Sequence, residues 1–288
     1  MSIRAEIIGR IASVPTLPSA STEVVRLVRD PRSPSAEVAR VIEYDPALTT
    51  NVLRIANTAP FGAPQSVGTV REAFSRLVPD NGFESVLAEA FGKITESPMT
   101  GYDVKGEDLW DHLIGSAIAS TRLAQVLRLS PPEHLFTAAL THDIGKVVLG
   151  TFPEIDAYGI IALALRDRIS FEEAERTVLG IDHAEVGAFL AEHWGLPGSI
   201  VDAVRLHHQP ELSLEHPLIV NLVHVADVVC LMAGVGASID ALGYRPSSLA
   251  LQRLRLQLGV LDRIVYEVLN ELLKVRTLFK FRDEGCAQ

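Results

Sequence analysis

The sequence predicts an all-α protein, and three observations carry that expectation. Apolar residues recur at helical spacing along nearly the whole chain, strict alternation is hard to find, and aromatic residues fill only 6% of the 288 positions. Stripes at a period of 3.6 are buried by packing helix on helix, whereas a half-buried sheet needs a period of two.

The elements follow in chain order. Val24, Val25 and Val28 share one side of a helix over 21–28, and the turn from Pro31 to Pro34 is followed by Ser35, an N-cap for a helix over 36–43. The segment 45–62 carries Leu48, Val52, Leu53, Ile55 and Ala56 as its apolar positions and closes at Pro60 and Gly62. A fourth helix over 70–77 stops at Pro79-Asp80-Asn81-Gly82. The polar stretch 101–106 is the expected boundary between an N-terminal helical lobe, 1–100, and a second helical lobe with a C-terminal helix, 101–288. Helices are expected there over 109–127, 133–143, 154–167, 171–178, 182–194, 199–208, 218–232 and 249–274. Asp182, with Glu185 three residues on, resembles a capping box, and Gly195 suits the far end of that helix.

Charge and hydropathy exclude several classes of function. Lys and Arg total 26 against 36 Asp and Glu, a net charge of −10 that offers no broad basic surface for a nucleic-acid polymer. The most apolar stretch, 218–237, has spanning length, but Asn221, His224 and Asp227 interrupt it, so a buried core helix is expected and no membrane span. The start of the chain lacks a continuous apolar run with a cleavage site, and Cys230 and Cys286 make no disulfide framework. A cytoplasmic location is the expectation.

The histidines point to chemistry. None of the nine precedes His112, and His112, His142, His183, His207 and His208 then recur through the helical second half, with Asp143 directly after His142. Imidazole and carboxylate together suit divalent transition metals such as Fe, Mn, Ni, Co or Zn, and an adjacent His-Asp at a helix end can offer two ligands to one ion. That pair falls just before Gly145, where the helix is expected to stop. Asp227 sits among Val223, Val225, Ala226, Val228 and Val229, and a carboxylate so surrounded needs a cation or hydrogen-bond donors. An Asp bonded to a nearby Arg or to backbone amides is the plain alternative.

His183 opens a helix, where the dipole favours the neutral imidazole that binds metal. His207 and His208 end one before Pro210 and could instead satisfy its last carbonyls. His224, three residues before Asp227, is either a supporting partner or a satisfied core histidine. His134, His193 and His216 read as surface or structural.

The order of these elements resembles the HD superfamily of metal-dependent phosphohydrolases, and within it the HDOD family of bacterial signalling output domains. In the first half LPSAS (17–21), DPALTTNVLRIANTAPFG (45–62) and VREAFSRL (70–77) carry the likeness. LWDH (109–112), THDIGK (141–146), DHAEVGAFLAEHWGLP (182–197) and RLHHQP (205–210) continue it, so that it covers about 12–275. Two departures stand out. Leu77-Val78 replaces the family's usual Leu-Gly, and no Gly-Tyr-Pro follows His207-His208, so cyclic di-GMP is not implied as a substrate.

The resemblance implies an HD-like helical bundle holding one or two metal ions. His112, His142, Asp143 and Asp227 would hold the first, and His183, His207 and His208 a second bridged by Asp143. Lys146 matches a lysine that faces phosphate, and Asp108, one helical turn before His112, is an additional ligand candidate. The function implied is a bacterial output or regulatory protein binding a signalling protein partner and a phosphorylated small molecule or nucleotide. Two alternatives remain: a metal-dependent phosphohydrolase acting on a nucleotide or phosphodiester with Asp143 and Lys146 catalytic, and a helical interaction protein whose histidines bind nothing.

Overall fold

The structure, a computed structural model, describes residues 3–11, 39–40, 42–57, 65–77, 106–150, 152, 155–236, 246–256 and 258–280. Among these residues every regular element is helical. The chain runs through α1 (Ile3–Ile11), α2 (Pro46–Asn57), α3 (Val70–Leu77), α4 (Gly106–Val126), α5 (Leu135–Thr141), α6 (Ile144–Gly150) and α7 (Ala157–Asp167). It continues through α8 (Phe171–Leu179), α9 (His183–His193), α10 (Gly198–Leu206), α11 (Pro217–Met232), α12 (Ser248–Arg253) and α13 (Leu258–Lys280), with a 3-10 turn at Pro210–Leu212. The helix expected over 21–28, half of that over 36–43, and the boundary at 101–106 save its last residue lie outside the described residues.

Capping sets several of these bounds. Asp45 accepts from the Leu48 amide at 2.9 Å to open α2, and Asp182 accepts from the Glu185 amide at 2.7 Å to open α9. The reciprocal half of the expected capping box is absent, because Glu185 is taken by Arg4 of α1 at 2.6 Å. At α3 the box is complete: Glu72 accepts from the amides of Gly68 and Thr69, and Thr69 Oγ1 accepts from the Glu72 amide.

Helix ends are less regular. Arg128, Arg168 and Arg255 all take positive φ, at 54°, 56° and 51°, and each is followed by an amide that reaches back to the preceding helix. At Arg255 this turn splits the single helix expected over 249–274 into α12 and α13. The left-handed residue is an arginine, so no glycine marks the break in the sequence.

One hydrophobic cluster joins Ile7, Leu53 and Phe74 from the first part of the chain to Ile114, Leu140, Leu190, Val223 and Val268 from the second. The central helix is α4, which packs against α5, α11 and α13, while α9 packs against α1, α6 and α10. The apolar stretch at 218–232 forms α11, buried through Ile219 to Cys230, and no helix among the described residues is long and apolar enough to cross a membrane. Burial pushes the Cys230 thiol up to about 12, which leaves it un-ionised and chemically quiet.

Candidate metal centre

Four helix ends and two helix interiors converge behind this core. His112 comes from the first half of α4 and Asp227 from the middle of α11. His142 and Asp143 form the turn between α5 and α6, and Lys146 lies in the first turn of α6. His183 is the first residue of α9, and His207 and His208 follow the last turn of α10.

Gly145 brings two of these elements together. A Cβ there would lie 1.9 Å from the His183 carbonyl oxygen, so the glycine serves a close crossing of α6 over α9 and does not end a helix as the sequence suggested. Gly187 completes the crossing, its own Cβ position lying 3.1 Å from the Gly145 amide. Gly236, with φ of 60°, lets the chain after α11 press on α4 at Asp108 and His112.

The side chains form two groups of potential ligands, His112, His142 and Asp227, and Asp143, His183, His207 and His208, each with its ligand atoms within 4.8 Å of one another. Asp143 stands between them. Its Oδ2 lies 3.7 Å from His112 Nε2 and 3.5 Å from His142 Nε2, while its Oδ1 lies 3.2 Å from His183 Nε2 and 3.5 Å from His207 Nε2. Asp227 Oδ1 is 3.0 Å from His112 Nε2 and 3.7 Å from His142 Nε2. Asp108 falls in neither group.

The far nitrogen of each ring fixes its tautomer. His112 Nδ1 faces the Val235 carbonyl at 3.4 Å, His142 Nδ1 that of Ala139 at 2.7 Å, and His207 Nδ1 that of Val204 at 2.7 Å. A carbonyl can only accept, so Nδ1 carries the proton and Nε2 turns inward. His207 thus does satisfy a carbonyl of its own helix, and the same bond aims the ring at Asp143. The Nε2 atoms of His112 and His142 and Oδ1 of Asp143 are buried with no hydrogen-bond partner among the described residues. Unsatisfied lone pairs converging on one place are costly unless a cation lies among them, so this donor set fits a divalent metal.

His183 is oriented differently. Its Nδ1 meets Glu175 Oε2 of α8 at 2.6 Å, and the same oxygen accepts from the His183 amide at 3.0 Å. Its Nε2 lies 2.8 Å from His208 Nε2. Burial alone would favour the neutral ring, but Glu175 and Asp143 outweigh it and hold the His183 pKa well above the usual value. The helix dipole was expected to keep this ring neutral; a buried carboxylate in direct contact dominates it. Glu175 was not anticipated. The available signal was its place at the apolar spacing of α8, in line with Phe171, Ala174 and Leu179.

Electrostatics elsewhere are consistent with an ionised centre. Desolvation pushes the carboxyls of Asp143 and Asp227 up, yet both lie well below the usual range. Lys146 and His142 dominate at Asp143, and His112 and His142 at Asp227. Lys146 Nζ is 2.6 Å from Asp143 Oδ2. His208 is pushed well down by burial and by the neighbouring His207 and His183.

His224 is a core histidine with both nitrogens used: Nδ1 donates to the His207 carbonyl at 2.7 Å, and Nε2 accepts from the Ser247 amide at 2.8 Å. His134 and His216 bond to Ser199 and Asp202, away from the centre, and His193 is exposed.

An all-helical HD-like domain with a buried His/Asp centre is the class that fold and site define. The model of the HDOD domain matches residues 14–210, and the chain belongs to that family. An uncharacterized protein of Treponema pallidum (strain Nichols) is 26% identical over 230 residues, 78% of this chain and 44% of that protein, so the chain spans less than half of that curated relative. Among solved structures, the MmoQ response regulator of Methylococcus capsulatus superposes with a TM-score of 0.65 at 23% identity, covering 88% of this chain and 98% of that one. An HDOD domain protein of unknown function from Geobacter sulfurreducens superposes with a TM-score of 0.54 at 25% identity, covering 95% and 96%.

Proposed function

We propose that the protein is a bacterial, cytoplasmic signal-transduction regulator. In this reading its second lobe, 101–288, keeps a metal centre that holds the domain in a binding-competent form. His112, His142, Asp143 and Asp227 would hold one divalent transition metal, Fe, Mn, Ni, Co or Zn, and His183, His207 and His208 would hold a second through Asp143. Asp108 would serve only as an outer neighbour. The metal would supply the positive charge that the inward lone pairs require. Regulation would then act through a signalling protein partner and a phosphorylated small molecule or nucleotide. The observation that supports a binding role over turnover is enclosure: His112, His142, Asp143, Lys146, His183, His207 and Asp227 are each at most 4% exposed, so the first group of ligands is closed off and only the second has a partly exposed member.

Elemental analysis of purified protein tests the centre. Stoichiometric metal in the wild type and its loss in Asp143→Ala and Asp227→Ala are expected; a wild type that stays metal-free after reconstitution overturns the proposal. A second reading, a phosphohydrolase acting on a nucleotide or phosphodiester, is favoured by one feature. His208, alone among the seven ligand candidates, is partly exposed, so the second group reaches toward solvent. In that case Lys146 would neutralise charge developing on a phosphoryl oxygen and Asp143 would orient the site. Metal-dependent hydrolysis by the wild type, abolished in Asp143→Ala, would establish this reading in place of the first.

A further inference from the structure

The long helix α13 carries two apolar stripes. Leu261, Ile264, Val268, Leu272 and Val275 are buried against the rest of the domain. On the opposite side Tyr266, Leu269 and Leu273, spaced three and four apart, are 69%, 38% and 59% exposed. A helix facing only solvent on one side has no use for a second stripe at this spacing, which is the seam that receives another helix.

Beside the stripe runs a groove of about 510 Å³ between α13 and the end of α4. Tyr266 forms its apolar shoulder. Arg122 and Arg128 of the α4 side and Arg263 and Lys274 of α13 line it, against Glu267 and Glu271. Four cations and two carboxylates leave the groove at +2 in a chain whose net charge is −10. Arg263 is engaged by Glu267 at 2.8 Å, and Lys274 and Arg122 share Glu271 at 3.1 and 3.9 Å. Arg128 has no ion pair among the described residues.

The same charges discriminate between occupants. Two antiparallel copies of α13 crossing at Leu269 would bring Arg263 close to Lys274 and set Glu267 against Glu271, like near like along the flank that carries the groove. We propose that the groove between α4 and α13, with the stripe Tyr266, Leu269 and Leu273, is the docking surface for an acidic amphipathic helix of a partner protein. Its leucines would cover the stripe, and its carboxylates would meet Arg122, Arg128, Arg263 and Lys274. This deepens the regulatory reading by giving its protein partner a chemistry, and it rests on that reading only for its biological meaning.

The test uses the 288-residue protein and two fluorescein-labelled helical peptides of about 14 residues, two heptads with one leucine stripe, flanked by Glu in one and Lys in the other. Fluorescence anisotropy should show saturable binding of the Glu peptide, weakened by rising salt. That binding should weaken at least about tenfold in Leu273→Ser and in Arg263→Glu, two exposed positions whose change leaves the core intact. Equal or tighter binding of the Lys peptide overturns the proposal, as does no binding of the Glu peptide. A concentration-dependent dimer of the wild type that Leu273→Ser dissociates overturns it in favour of a second copy. Because the titration contains no substrate and is run with and without added metal, failure of the metal centre or discovery of a hydrolase activity leaves its result readable.

Discussion

Glu175 contributes to the centre through His183 alone. It accepts hydrogen bonds from Nδ1 of that ring at 2.6 Å and from the backbone amide at 3.0 Å, so it fixes both the tautomer and the start of α9. Replacing it by Gln keeps the shape and one acceptor but removes the charge that makes the ring a strong donor of electron density. Glu175→Gln is expected to fold and to lose about 10- to 100-fold in metal affinity, read by competition with a coloured chelator. Unchanged affinity would mean that the Nδ1 partner is immaterial. At this scale the sequence was informative where residues stand in pairs: His142-Asp143 and His207-His208 converge with His112, His183 and Asp227, because each pair occupies a helix end facing the same interior. It was silent on Glu175, whose partner lies eight residues away across a turn. It was misleading at Gly145, where the need is for space against His183 and a local signal cannot show which neighbour requires it.

Among elements, the most local features were also the most legible. The Asp182 cap and the left-handed Gly195, both expected, depend on residues within one turn of each other. The three arginine ends broke this pattern, since L-residues pay to enter the left-handed region and propensity alone would not put them there. That cost makes a prediction. Arg168 is exposed at the end of α7, where its own φ of 56° permits the Ile169 amide to reach the Ala164 carbonyl. Arg168→Gly is expected to stabilise the protein by about 0.5–1 kcal/mol in urea unfolding, the relieved strain exceeding the extra freedom of glycine in the unfolded chain. A loss of stability would show that the arginine side chain contributes more than its backbone costs.

Across the whole molecule, the all-helical architecture followed from periodicity because α4 and α11 are apolar on the sides that other helices cover, and such stripes have no other use. Long-range ties were invisible by comparison. Arg4 of α1 pairs with Glu185 of α9 across 181 positions, and nothing near either residue announces it. The buried centre also joins α4, α6, α9, α10 and α11, so a bound ion would stabilise all of them together. Addition of the preferred metal at about 100 times its dissociation constant should raise stability by about 2.7 kcal/mol and the melting temperature with it. An unchanged melting temperature would indicate that no ion binds the native fold.

His224 extends that coupling to a distant element, with a consequence for amide exchange. Its neutral ring carries a relay from the His207 carbonyl to the Ser247 amide, the residue that caps α12. The Ser247 proton is therefore expected to exchange with deuterium more slowly than an ordinary helix-start amide, and more slowly still once the centre is loaded. One backbone proton on α12 would then act as a remote gauge of how firmly His207 is held.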